Sequence, residues 1–247
     1  MTTWVTRLII ANVIIFVISL VRPAIVEAFA FVPAHVLERP WTLFTYMFLH
    51  ADMGHIAFNM LGLLFFGPRL EMFLETNRFL LLYFISGLAG ALISSIITPN
   101  AAIIGASGAV YGVFLGFARY WPREVIRIWG IFPIEARWMV VLMTALSLYG
   151  GFGFSRDNIA HFAHLGGFAG AYLYLLWVER VLSRRTSQAQ PVTQFSREDV
   201  DRWSRIDRER LHEVNQEELD RIRKKIEVQG ATSLTEVERQ FMNRFSE

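Results

Sequence analysis

The sequence predicts an all-α, polytopic membrane protein, with six spanning helices over residues 1–182 and a linker and short helical tail over residues 183–247. Three observations carry this expectation. Hydrophobic residues make up 53% of the chain without counting glycine; soluble domains reach about 45–50% with glycine included. Charge is unevenly placed: the chain from Leu182 onward holds 13 Lys/Arg and 13 Asp/Glu, leaving 11 and 9 for the longer part before it. Finally, six apolar stretches approach the roughly 20 residues that a bilayer core requires.

Those stretches are Leu8–Val26, Met53–Phe66, Phe79–Thr98, Ala106–Trp121, Trp138–Phe152 and Ile159–Val181. The second, fourth and fifth are short. Leu8–Val26 is too long and too apolar for a cleaved signal, with no small-residue cleavage site after it, and reads as a retained span. With the N-terminus inside, ten arginines fall on inner segments (7, 69, 78, 119, 123, 127, 137, 180, 184 and 185) and three on outer ones (22, 39 and 156). That bias predicts cytoplasmic termini.

Two regions are not expected to span. Glu27–Phe48, with Pro33, Pro40 and Trp41 among apolar residues, reads as an interfacial segment. Beyond Ser183, a linker at Ser187–Pro191 precedes a charged helix to about Val228, a break at Gly230 and a short helix. Ser233 and Glu236 have capping-box spacing there, with Val237, Phe241 and Phe245 following at i, i+4 and i+8. No one-sided basic patch suits nucleic acid. Without cysteine, no thiolate site or Cys nucleophile is available. No cofactor is expected.

Polar residues inside spans are costly and default to function. They are His55 and Asn59 in the second stretch, Ser107 in the fourth, and His161 and His164 in the sixth, with His50 just outside the second. Gly108, Gly112 and Gly116 recur every fourth residue after Ser107, and Ala163, Gly167 and Ala171 do so around His164. Small residues let helix backbones approach closely. Stripe packed on stripe would bring Ser107 near His164, and a Ser hydroxyl becomes a nucleophile when an imidazole takes its proton. His55 and Asn59 share a helix face and can both donate to a developing oxyanion.

Each feature also has a plainer reading. Glycine stripes are common packing devices, and a buried Ser often bonds back to its own helix. His50, His55, His161 and His164 could in principle hold a metal, but no carboxylate accompanies them within a helix and H-E-x-x-H is absent. Gly105–Ala109 is not a G-x-S-x-G elbow, since its last position is Ala109. Asp157 lies about 10 Å along a helix from His164, too far to complete a triad.

Taken together and in order, His50-x4-His55-x3-Asn59, Gly105-x-Ser107-Gly108 and Ala163-His164-x2-Gly167 resemble the rhomboid family of intramembrane serine proteases, over about residues 5–180. The resemblance implies Ser107 as nucleophile and His164 as base. It implies an oxyanion hole from His55, Asn59 and the Ser107 N–H, Tyr111 packed on the His164 ring, and His50 supporting the outer end of the second helix. It also makes Glu27–Phe48 a half-submerged hairpin and the fifth helix a lateral gate. The partners would be transmembrane-segment protein substrates within the lipid bilayer. One departure is Trp41-Thr42, where family loops often carry Trp-Arg. The tail from about Gln216 is similar to a small helical domain appended to some bacterial members, without a known role or partner. The competing readings are a non-catalytic relative that binds transmembrane helices, and a transporter; the latter would favour mid-membrane charges or paired broken helices.

Overall fold

The computed structural model describes residues 2–128, 131–154, 161–188, 197–211 and 213–246. Two compact units divide the chain, Met1–Trp177 and Val178–Glu247. The first unit contains α1 (Thr3–Val21), α2 (Ala24–Phe29), α3 (Thr42–Thr45), α4 (Met53–Leu74), α5 (Thr76–Ile97), α6 (Ser107–Tyr120), α7 (Ala136–Tyr149) and the start of α8 (His161–Gln188). Every predicted span is thus helical at its centre. α1, α4 and α5 are long and apolar enough to cross a membrane. α6 and α7 have 14 residues each, or about 21 Å of helix.

Burial is inverted relative to a water-soluble bundle. Asn12, Ser19, Glu71, Ser86 and Ser94 are buried, while Ile10, Ile14, Val17 and Leu20 on α1 are exposed. Water would penalise that arrangement and hydrocarbon favours it. Hence the chain is a polytopic, all-α membrane protein.

Several boundaries differ from expectation. α1 begins five residues before Leu8 and stops at Val21, because Pro23 disfavours helical backbone at Arg22. Its early start is capped from α4: the buried Glu71 carboxylate accepts from the main-chain N–H groups of Trp4 (3.4 Å) and Val5 (3.1 Å), two of the donors a helix start leaves orphaned. α4 continues past Phe66, through Pro68, to Leu74.

Residues 30–48, most of the expected interfacial segment, hold only the one-turn α3 and two 3-10 turns, and they cap α2. Its last carbonyls, those of Glu27, Ala28 and Phe29, accept from Arg39 Nη1 (3.1 Å), Trp41 Nε1 (3.2 Å) and Thr45 Oγ1 (3.0 Å). Thr42, at the departure from the family pattern, is buried and donates to the Arg39 carbonyl (2.6 Å). The segment also pairs with the strand-like approach to α6, through reciprocal main-chain bonds between Phe31 and Ile103.

A two-stranded antiparallel ribbon between α6 and α7, β1 (Val125–Ile128) and β2 (Phe132–Glu135), was not expected. Its strands are four residues each, too short for a two-residue alternation to stand out from loop sequence.

The second unit has its own core of Trp203, Ile206, Leu219, Ile222, Leu234 and Met242, drawn from α9 (Arg197–Ser204), α10 (Glu213–Gln229) and α11 (Glu236–Phe245) with its flanking residues. α8 runs through Gln188, so helix occupies the start of the predicted linker; the rest of the linker lies outside the described residues. The capping box is formed by Thr235 and Glu238 rather than by Ser233 and Glu236. Ser233 instead closes a 3-10 turn onto Gly230. Val237 is therefore exposed, and the buried face carries Leu234, Glu238 and Met242.

Candidate active site

Ser107 is the first residue of α6, and the turn before it demands glycine. Gly105 has φ +123°, and a Cβ there would stand 2.6 Å from His55 Nε2. Its N–H donates to the Tyr46 carbonyl (2.9 Å), and the Tyr46 hydroxyl donates to the Gly87 carbonyl of α5 (2.7 Å). The buried Tyr46, which the sequence reading passed over, thereby locks the Ser107 turn to α5. As the first residue of a helix, Ser107 contributes one of the N–H groups that lack an intrahelical partner.

α6 and α8 touch at main-chain distance. A Cβ on Gly108 would lie 3.2 Å from the Ala163 carbonyl oxygen, and one on Gly167 would overlap the Gly108 carbonyl. The result is a 2.7 Å hydrogen bond between Ser107 Oγ and His164 Nε2. Tyr111 stacks on the His164 ring with centroids 4.2 Å apart and planes 18° apart. Phe168, 4.9 Å from Tyr111, backs the stack. His164 is buried and Ser107 is half-buried.

The stripe does not lie wholly on α8, however. Gly112 accommodates the Ser86 side chain of α5, with Ala171 at 3.4 Å, and Gly116 faces Leu70 and Leu82. A second stripe completes the contact: Gly166 and Gly170 of α8 fit against Ala89 and Gly90 of α5. α5 is thus the third partner of the site. Its Gly87 and Gly90 were visible in the sequence with only Ser86 beside them, a serine that donates back to the Leu82 carbonyl of its own helix (2.6 Å).

His55 stands at the Gly105 turn. Its Nδ1 accepts from the Ala51 N–H (3.4 Å), so in the neutral ring Nε2 carries the proton. Asp52 caps α4 through the His55 N–H (2.8 Å). Asn59, one turn on, is buried and donates one N–H to the His55 carbonyl (3.0 Å), leaving its second N–H. His50 packs edge-on against His55, with centroids 4.9 Å apart. Burial, and after it the adjacent His55, lower the His50 pKa to about 4, which keeps its ring neutral near pH 7. His161 lies 6.3 Å from His164, centroid to centroid. Asp157 lies outside the described residues. Among the described residues no three His, Asp or Glu side chains converge to hold a metal.

A hydroxyl held by a buried imidazole, beside a helix start and a second imidazole, can perform nucleophilic acyl transfer. Comparison with known proteins identifies the family. The match to RHOMBOID-like protein 1 of Arabidopsis thaliana is 35% identical over 133 residues, covering 54% of this chain and 33% of that protein. Rhomboid-like protease 3 of Toxoplasma gondii is 31% identical over 178 residues, covering 67% and 64%. Rhomboid protease GluP of Bacillus subtilis is 33% identical over 132 residues, covering 53% and 25%. In each case the match spans less than two thirds of the relative. The family model for the rhomboid domain matches residues 37–180, more than half of the chain and a stretch that takes in His50, His55, Asn59, Ser107, Tyr111 and His164: the chain belongs to the rhomboid family.

Proposed function

We propose that this protein is an intramembrane serine endopeptidase that cleaves transmembrane segments of other membrane proteins with a Ser107–His164 dyad. The observation that carries the reading is the 2.7 Å bond between Ser107 Oγ and His164 Nε2, inside a membrane bundle. His164 Nε2 accepts the hydroxyl proton as Ser107 Oγ attacks the scissile carbonyl carbon. The carbonyl oxygen becomes an oxyanion, taken up by the Ser107 N–H, His55 Nε2–H and the second N–H of Asn59. His164 then returns the proton to the leaving amine, and water, deprotonated by the same nitrogen, releases the acyl group. Tyr111 holds the imidazole plane throughout, and His50 buttresses His55.

On this reading both termini face the cytoplasm of a bacterial plasma membrane, and Ser107 opens toward the outer side. The arginine bias supports that orientation, and the protease-named relatives support the endopeptidase reading. A fluorophosphonate probe tests it on the purified protein. Labelling that disappears in Ser107→Ala identifies an activated serine; folded protein that never labels identifies a non-catalytic helix-binding relative or a transporter.

A further inference from the structure

The ribbon between α6 and α7 has no part in the site, since it follows the end of α6 opposite to Ser107. Its register pairs Val125 with Glu135, Ile126 with Ile134, and Arg127 with Pro133. Directly opposed residues share a face and alternate residues along a strand share it too. One face therefore carries Ile126, Phe132 and Ile134, and the other Val125, Arg127, Pro133 and Glu135. Among the described residues the apolar face is only partly covered: Ile126 and Ile134 are half-buried, whereas Phe132 is 65% exposed and Ile131, at the adjoining turn, 72%. An isolated two-stranded ribbon is marginal in water and needs cover for its apolar face.

The attachment of the ribbon limits what can provide that cover. Its base is tied to the start of α7, Ala136 N–H donating to the Glu124 carbonyl (2.9 Å) and Arg137 N–H to the Pro122 carbonyl (3.1 Å), just past the end of α6. Trp121 and the exposed Trp138 flank that base, the residue type that gathers at membrane surfaces. Four-residue strands reach only about 13 Å from it, so the ribbon stays within the headgroup layer or at its edge. Charge selects the lipid. Residues 119–137 hold four arginines and two glutamates. Both glutamates are held by arginines, Glu124 by Arg69 (3.0 Å) and Glu135 by Arg137 (2.7 Å), while Arg123 and Arg127 are exposed.

We propose that the 125–135 ribbon is a membrane-surface anchor, its Ile126/Phe132/Ile134 face inserted at the acyl-chain boundary and Arg123 and Arg127 engaging anionic lipid headgroups. It fixes the connection between α6, which carries Ser107, and α7 against one leaflet. Basic residues beside apolar ones are the composition of interfacial membrane binding.

The chain has no cysteine, so Phe132→Cys and Pro133→Cys each place one environment-sensitive fluorophore on the full-length protein. In nanodiscs of phosphatidylcholine with phosphatidylglycerol, the label at 132 should be quenched by spin-labelled acyl chains and protected from iodide, with the reverse at 133. Acyl-chain quenching at 132 should fall severalfold in pure phosphatidylcholine, and likewise in Arg123→Gln/Arg127→Gln with phosphatidylglycerol present. A label at 132 that iodide reaches and acyl chains do not overturns the anchor. One shielded from both quenchers also overturns it, since protein would then cover the face. Quenching indifferent to both headgroup charge and the arginine pair overturns the anionic-lipid assignment.

Discussion

Gly167 of α8 lies so close to the main-chain carbonyl of Gly108 in α6 that a single methyl group on it would overlap the oxygen. His164 lies one turn before Gly167 on the same helix face and Ser107 immediately precedes Gly108, so this approach sets the Ser107–His164 distance. Gly167→Ala should therefore act as a wedge. Overpacking of this kind costs about 1–3 kcal/mol, and turnover should fall further than stability accounts for, because the 2.7 Å bond opens. Thermal melting in detergent alongside single-turnover cleavage checks this; unchanged melting and rate would refute the close-approach account. Gly112→Leu, which meets Ser86 and Ala171, should damage both properties more severely.

Gly105→Ala should be disproportionately harmful for a one-carbon change. The position combines φ +123° with a Cβ site 2.6 Å from His55 Nε2, so the backbone strains and the imidazole is displaced together. A non-glycine residue at such a conformation costs about 1 kcal/mol or more. The larger effect should be on kcat, through His55. Steady-state kinetics in proteoliposomes would show it, and wild-type kcat in a stable Gly105→Ala protein would exclude His55 from the chemistry.

Asn59→Ala and His55→Ala should lower kcat with little change in KM, since their donors serve charge present only in the transition state. Losing one oxyanion donor typically costs about 10²–10³ in kcat. A smaller loss is expected for either residue alone, because the Ser107 N–H and the other donor remain. A raised KM at constant kcat would move both residues to the substrate-binding surface.

In the tail, burial pushes the Glu238 carboxyl up, but hydrogen bonds from Lys225, from Thr235 and from Arg221 outweigh it and hold the group at about 2. A carboxyl held below its ordinary value of 4.5 contributes stability that is complete above that pH and disappears as pH falls toward about 2. Protection of α11 amides in the full-length protein, followed by hydrogen-exchange mass spectrometry corrected for intrinsic rate, should decline over that window. Glu238→Gln should weaken protection at neutral pH and flatten the dependence. A pH-independent profile in the native protein would contradict the role assigned to the ion pairs with Arg221 (2.9 Å) and Lys225 (2.8 Å).

Much of this organisation was legible because hydrocarbon imposes a strong pattern. Long apolar stretches marked the helices, and Ser107 and His164 stood out as polar groups beside small-residue stripes. What escaped detection depended on local geometry or on long-range partners. Gly116 belongs to the same sequence stripe as Gly108 yet faces Leu70 and Leu82, since a helix surrounded by neighbours turns successive small residues toward different ones. The Thr235–Glu238 box lies two residues past the expected one because Ser233 was already engaged in a 3-10 turn. Tyr46 gave no signal, as its importance comes from Gly87 and Gly105, 41 and 59 residues away.

The most direct measurement of the central claim is cleavage of a single-pass model substrate in proteoliposomes by wild type, Ser107→Ala, His164→Ala and the double variant, each shown to be folded. The two residues should act as one unit, so each single change should abolish cleavage and the double variant should be no worse than either. Robust cleavage by folded Ser107→Ala would contradict the assignment of Ser107 as nucleophile.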